Sequence, residues 1–207
     1  MNKPLRLQII LLLICSSFAT SAMAQNKKIL VLGDSISASF GIDPAEGWVS
    51  LLATKLADSG KNDYRVINAS ISGSTSGDGL QRLPTLLRQY KPTIMIIELG
   101  GNDGLRGYPV KLMRENLQKI IDLSAASGAK VLLAGIEIPP NYGQRYTDAF
   151  RKNFFVLAEQ NPVSFLPFIL KDIATNQTMM QRDQIHPTAE AQAIILKNVW
   201  PHLESLL

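Results

Sequence analysis

Lys28-Ile29-Leu30-Val31-Leu32-Gly33-Asp34-Ser35 (KILVLGDS, residues 28–35) is the stretch on which the reading of this chain turns. A short apolar run that ends in a turn signal reads as a strand buried on both faces. The pattern returns at residues 93–99 (TIMIIEL) and 130–136 (KVLLAGI), with shorter versions at 64–68 and 163–166. The segments between them have helical spacing. Trp48, Leu51, Leu52 and Leu56 share one face of a helix over 47–59, with Gly60 as its stop. Thr75 and Asp78 form a capping-box pattern ahead of Leu80, Leu83, Leu87 and Tyr90. Met113, Leu117, Ile120 and Ile121 line one face over 110–127, and further helices are predicted over 146–160 and 188–206. Strands without period-two alternation, separated by helices, predict a parallel sheet covered on both faces. The expected fold is therefore a single three-layer α/β/α domain around five parallel strands, over residues 25–207. In such sheets chemistry gathers beyond the carboxyl ends of the strands.

The first 24 residues stand outside that fold. Lys3 and Arg6 precede an apolar run too short to span a bilayer, and small residues follow up to Ala22-Met23-Ala24. This reads as a signal peptide cleaved after Ala24, so the expected location is periplasmic or secreted. Cys15, the only cysteine, leaves with it, which removes both disulfides and a thiol nucleophile. A net charge of +4, two units of which belong to the leader, is too small for a nucleic-acid surface. With 46% hydrophobic and 18% charged residues the chain is built to bury a core.

Three strand ends carry unusual residues: Gly33-Asp34-Ser35, then Asn68-Ala69-Ser70-Ile71-Ser72-Gly73, then Gly100-Gly101-Asn102-Asp103. Near the C-terminus Asp183-Gln184-Ile185-His186-Pro187 lies on a loop. Acyl-bond hydrolysis needs a nucleophile, a base, an orienter for that base and donors for the oxyanion. The chain has two histidines, and His202 falls in the final helix as a surface or helix-end residue. His186 is left as the base, with Asp183 three positions earlier to orient it, although Asp-x-x-His also serves as a helix-capping loop. Ser35 ends the first strand, where a helix N-terminus is expected to follow, but Gly-Asp-Ser is also an ordinary turn. Gly73-Ser74-Thr75-Ser76-Gly77 has a threonine where a nucleophile elbow needs serine, and no phosphate-loop lysine follows it.

Gly33-Asp34-Ser35-Ile36-Ser37, Gly73, Gly100-Gly101-Asn102-Asp103 and Asp183-x-x-His186-Pro187 resemble, in order and spacing, the blocks of the SGNH (GDSL-type) hydrolases. Asn68–Gly73, the run from Leu99 through Gly107 and the run from Pro140 through Tyr146 look like its TesA-type branch of bacterial periplasmic acyl-CoA thioesterases, lysophospholipases and arylesterases. The likeness covers nearly all of the chain after the leader. It implies a flavodoxin-like fold with Ser35 as nucleophile, His186 as base and Asp183 as its partner. The oxyanion donors it implies are the backbone N–H groups of Ser35 and Gly73 and the side-chain amide of Asn102. Asp34 and Asp103 are expected to bond loop N–H groups. Ile36 replaces the leucine of the family name, and Gln184 stands where glycine is expected. Gly104 and Gly107 flank a loop whose counterpart in that branch moves on acyl binding.

Leu105, Ile138, Pro139, Pro140 and Ile185 are the expected lining of an acyl groove, or else anchors of their loops. The expected substrate is a small acyl ester or thioester with a medium to long chain. No metal, cofactor or nucleic acid is expected, nor stable membrane insertion once the leader is removed, and the enzyme is expected to be a monomer. A carbohydrate O-deacetylase on the same fold is the alternative enzyme, and a non-catalytic flavodoxin-like binding module the alternative outside enzymes. A two-metal phosphoesterase asks for more histidines than the chain has.

Overall fold

The computed structural model describes residues 27–207, so the expected signal peptide and its cleavage site lie outside the described residues. Five strands form one parallel sheet: β1 (Lys27–Gly33), β2 (Tyr64–Asn68), β3 (Ile94–Glu98), β4 (Lys130–Ala134) and β5 (Ser164–Leu166), in the order β2-β1-β3-β4-β5. The central strands are the apolar runs of the sequence. Every residue of β3 is buried, and so are Ile29 to Gly33 of β1. The edge strand β2 is only half-buried.

Six helices cover the sheet: α1 (Trp48–Asp58), α2 (Ser76–Tyr90), α3 (Gly101–Leu105), α4 (Val110–Ala126), α5 (Gln144–Gln160) and α6 (Gln192–Glu204). α2, α4 and α5 pack in series in one layer, while α1 packs against α6 in the other. Trp48, Leu52 and Leu56 of α1 and Leu117 and Ile120 of α4 bury the predicted faces. The capping box is formed: Thr75 Oγ1 accepts from Asp78 N–H, and Asp78 accepts from the Thr75 N–H in return.

The sequence reading extends two elements too far. The apolar run of β4 continues to Ile136, but pairing stops at Ala134, because Gly135 turns toward Pro167 so closely that a Cβ there would meet its carbonyl oxygen. α6 begins at Gln192 rather than 188, after a series of turns.

The strand order sets the location of the site. From β1 the chain goes outward to β2 and then crosses to β3 on the other side of β1. The crevice of a doubly wound sheet opens at such a reversal. Gly33 and Glu98 pair in register at the ends of β1 and β3. The Gly-Asp-Ser and Gly-Gly-Asn-Asp segments therefore leave the sheet side by side.

Candidate active site

Ser35 follows β1 after a single residue, Asp34. The helix expected after it is absent, and a continuous turn over residues 35–41 takes its place. Ala38 N–H reaches the Asp34 carbonyl at 2.9 Å and Phe40 N–H the Ser35 carbonyl at 3.1 Å, so the chain makes one wide turn and leaves for α1. Serine hydroxyls at 37 and 39 are buried there, and Ser37 is committed to a carboxylate beneath it. This local polar bonding competes with a regular helix.

The loop after the turn at Gln177–Met179 brings His186 to Ser35 across 151 positions of sequence. His186 Nε2 lies 2.8 Å from Ser35 Oγ, and its Nδ1 lies 2.7 Å from Asp183 Oδ2. A neutral imidazole that donates Nδ1–H to the carboxylate leaves Nε2 to accept the serine proton. Asp183 Oδ1 accepts the N–H groups of Ile185 and His186, each at 3.0 Å. Partial burial pushes the Asp183 carboxyl up, but the His186 ring, the two N–H bonds and the charge of His186 together outweigh it and hold it down at about 2. Gln184 takes a left-handed backbone with φ of 57° in this turn, which explains why glycine suits the position. Phe40 packs on the imidazole with ring centroids 4.4 Å apart. No sequence signal marked Phe40, because its place depends on the turn that replaced the expected helix.

The three expected oxyanion donors meet at the same edge. Gly73 has φ of +81°, a backbone that favours glycine. Neither the Ser35 nor the Gly73 N–H has a backbone acceptor among the described residues. Asn102, in the first turn of α3, donates through Nδ2 to Asp34 Oδ2 and to the Ser74 carbonyl, both at 3.1 Å. Asp34 is also bonded through Oδ1 to the N–H of Ile36 at 3.1 Å. Burial lifts the Asp34 carboxyl, and its bonds and the charge of His186 restrain the rise to about 6. Asp103 joins α3 to the start of α2, accepting from Ser76 N–H at 2.8 Å and from Ser76 Oγ at 2.6 Å.

A cleft of about 390 Å³ opens beside Ser35 and Asn102, and Leu105, Ile138, Pro139, Pro140 and Ile185 all line it. It extends deeper than the sequence suggested, to Ile36, Ile136, Phe168, Leu170, Ala174 and Met180. Phe168, Leu170, Ala174 and Met180 belong to the irregular chain after β5, where no periodicity flags a face. Of the two glycines that flank Leu105, Gly104 lies within α3 and only Gly107, in the loop that follows, has a positive φ. Gly104 serves close packing, since a Cβ there would lie 2.6 Å from Ile138 and 2.7 Å from Phe150. Tyr142 and Tyr146 fasten this loop by hydroxyl bonds of 2.8 Å to the carbonyls of Leu105 and Tyr108.

Esterase TesA of Pseudomonas aeruginosa is 52% identical over 89% of this chain and 91% of its own length. Thioesterase 1/protease 1/lysophospholipase L1 of Escherichia coli K12 is 40% identical over 86% of this chain and 84% of its own. A solved crystal structure of TesA superposes with a TM-score of 0.85 at 52% identity, covering 87% of this chain and all of that one. The family described as GDSL-like lipase/acylhydrolase matches residues 31–194, a span that contains every residue of the site above. The chain belongs to the GDSL-like lipase/acylhydrolase family.

Proposed function

We propose that this chain is a serine esterase that hydrolyses carboxylic esters and thioesters of medium to long acyl chains through an acyl-enzyme on Ser35. The observation that carries the reading is the unbroken relay from Asp183 through His186 to Ser35 Oγ, with contacts of 2.7 and 2.8 Å, at the edge of an apolar cleft. Ser35 Oγ attacks the acyl carbonyl as His186 Nε2 takes its proton. Asp183 holds the tautomer and balances the imidazolium. The carbonyl oxygen becomes an oxyanion facing the N–H groups of Ser35 and Gly73. It also draws the Asn102 hydrogen away from the neutral Ser74 carbonyl, because a charged acceptor makes the stronger bond. His186 then returns the proton to the leaving alcohol or thiol. Water, deprotonated by the same imidazole, releases the acid and regenerates Ser35. These side chains perform the cycle alone.

The cleft lining favours an acyl chain over a sugar. We further propose that residues 25–207 are one exported domain, released from its leader after Ala24, that acts as a monomer on small-molecule acyl substrates outside the cytoplasm. Among the described residues no helix is long and apolar enough to cross a membrane.

Ser35→Ala tests the reading. It is expected to lower kcat on p-nitrophenyl decanoate roughly 10⁶-fold and to abolish labelling by a fluorophosphonate probe, while the unfolding midpoint hardly moves. Retained turnover or labelling at another residue would overturn it. A p-nitrophenyl ester preference for acetyl over decanoyl would refute the acyl cleft and favour a deacetylase.

A further inference from the structure

Beneath the site lies a pair of carboxyl groups that the steps of ester hydrolysis do not use. Glu98, the last residue of β3, is 0% exposed, and Asp34, the residue after β1, is 2% exposed. Glu98 Oε2 accepts from Ser37 Oγ at 2.7 Å and from the Asp34 N–H at 3.3 Å. Glu98 Oε1 is buried and receives no hydrogen bond among the described residues. The bond from the Asp34 N–H to Glu98 Oε2 and the pairing of Gly33 with Glu98 bring the two carboxyl groups together at the ends of β1 and β3. Two glycines make room for them. A Cβ at Gly33 would lie 2.7 Å from Glu98 Oε2, and one at Gly101 would lie 3.2 Å from Asp34 Oδ2.

Two adjacent buried carboxylates do not both ionise, because each loses its hydration and repels the other. The donors decide which one keeps the proton. Asp34 has the Ile36 N–H and the Asn102 amide as donors. Glu98 has a serine hydroxyl and one long backbone bond, and its second oxygen has no donor at all. Burial first, and then the charge of Asp34, push the Glu98 carboxyl well above the usual carboxylate range. The other charged group beside the pair is Arg82 of α2, whose guanidinium reaches the Gly33 carbonyl at 3.3 Å.

We propose that Glu98 is a positioning residue of the esterase: it remains protonated, donates its O–H to Asp34, and so keeps Asp34 as the single buried anion that holds the Asn102 amide against the nucleophile turn. The role in catalysis rests on Asn102 being an oxyanion donor. With one Asn102 hydrogen fixed on Asp34 Oδ2, the other is left to Ser74 and the cleft. An ionised Glu98 would instead place a second negative charge behind the forming oxyanion. The neutral acid supplies a donor and removes that repulsion.

Infrared spectroscopy of the purified enzyme at pH 7 reads the proton directly. A protonated-carboxyl C=O band is expected in the wild type and in Asn102→Ala, and is lost in Glu98→Gln. Absence of the band, or its persistence in Glu98→Gln, overturns the proposal. Kinetics read the role. Glu98→Gln, neutral and still a donor, is expected to keep kcat within about threefold and to preserve the pH profile. Glu98→Ala, which leaves Asp34 without its donor, is expected to lower kcat about tenfold with KM unchanged. In an Asn102→Ala background Glu98→Ala is expected to cost less than about twofold, since both act through one amide. A collapse of kcat in Glu98→Gln, or full multiplication of the two alanine effects, overturns the positioning role. An Asn102→Ala variant with normal kcat would instead remove Asn102 from the oxyanion site, while the infrared band still decides where the proton lies.

Discussion

The two sides of the site are built on different principles. The proposed donor side draws Ser35, Gly73 and Asn102 from the ends of three strands and braces them with buried bonds between distant segments. Ser37 bonds to Glu98 over 61 positions, Ser76 to Asp103 over 27 and Asn102 to Ser74 over 28. Arg82 ties the carbonyls of Ala69 and Gly33 together from α2. The base side is a single loop. Asp183 and His186 are three positions apart, and the carboxylate binds the ring and two N–H groups of its own turn. An antiparallel bridge between Met180 and Pro187 closes that loop, and the side chain of Gln181 pins it to Phe40. A local unit of this kind can lose its chemistry without loosening the sheet. The donor side cannot, because its functional bonds are also its structural ones.

The largest expected effects break the base side alone. Asp183→Asn keeps the shape of the loop but removes the charge that fixes the His186 tautomer, and is expected to lower kcat roughly 10⁴-fold. Its unfolding midpoint at pH 7 is expected to stay within a few degrees of the wild type. Equal losses of activity and stability would show that the loop is not an independent unit. Asn102→Ala comes next, at roughly 10²–10³ in kcat with KM little changed, measured on the same ester. An effect of twofold or less would leave only the two backbone donors. Asp103→Ala tests the bracing rather than the chemistry. It strands the buried Ser76 N–H and hydroxyl at the start of α2, so it is expected to cost about 1–3 kcal/mol in denaturant unfolding. Any loss of rate should follow from displaced Asn102 and remain below that of Asn102→Ala.

The same division explains what could be read in advance. The apolar runs gave the five strands, and helical spacing gave the major helices, because both follow from burial alone. Asp183 and His186 were visible as a short spacing. Ser35, Gly73 and Asn102 became a set through the resemblance and the expectation that strand ends converge. The turn at 35–41 was missed because Ser37 spends its hydroxyl on buried Glu98 and Ser39 takes a left-handed backbone with φ of 60°, which a helix does not allow. The cleft floor at Phe168, Leu170 and Met180 was missed because irregular chain has no period. Gln184 was marked as a departure from glycine, and its φ of 57° supplies the physical reason. The Glu98–Asp34 pair was hidden altogether. In sequence Glu98 is one acid within an apolar strand, and only the register of β1 with β3 sets it under Asp34.

The smallest expected effects have opposite signs on the two sides, and they test the comparison through stability instead of rate. The Asp183 carboxyl is held at about 2 against an ordinary 3.8. Its ionised form is favoured by the fold, so its stabilisation is present above about pH 4 and is lost as pH falls toward 2. The group is partly exposed, and solvent screening keeps the contribution modest. The Asp34 carboxyl is pushed up to about 6 from the same ordinary 3.8. The fold favours its protonated form, so that stabilisation is present below about pH 4 and is lost as pH rises through 6. Thermal unfolding of Asp34→Asn and Asp183→Asn beside the wild type from pH 2 to pH 8 separates the two. Relative to the wild type, Asp34→Asn should gain stability between pH 4 and 6 and then level off. Asp183→Asn should show its deficit above pH 4 and recover toward pH 2. Parallel curves for the two variants would mean that the buried pair and the exposed loop carry their charge in the same way, and the contrast between the two sides would fail.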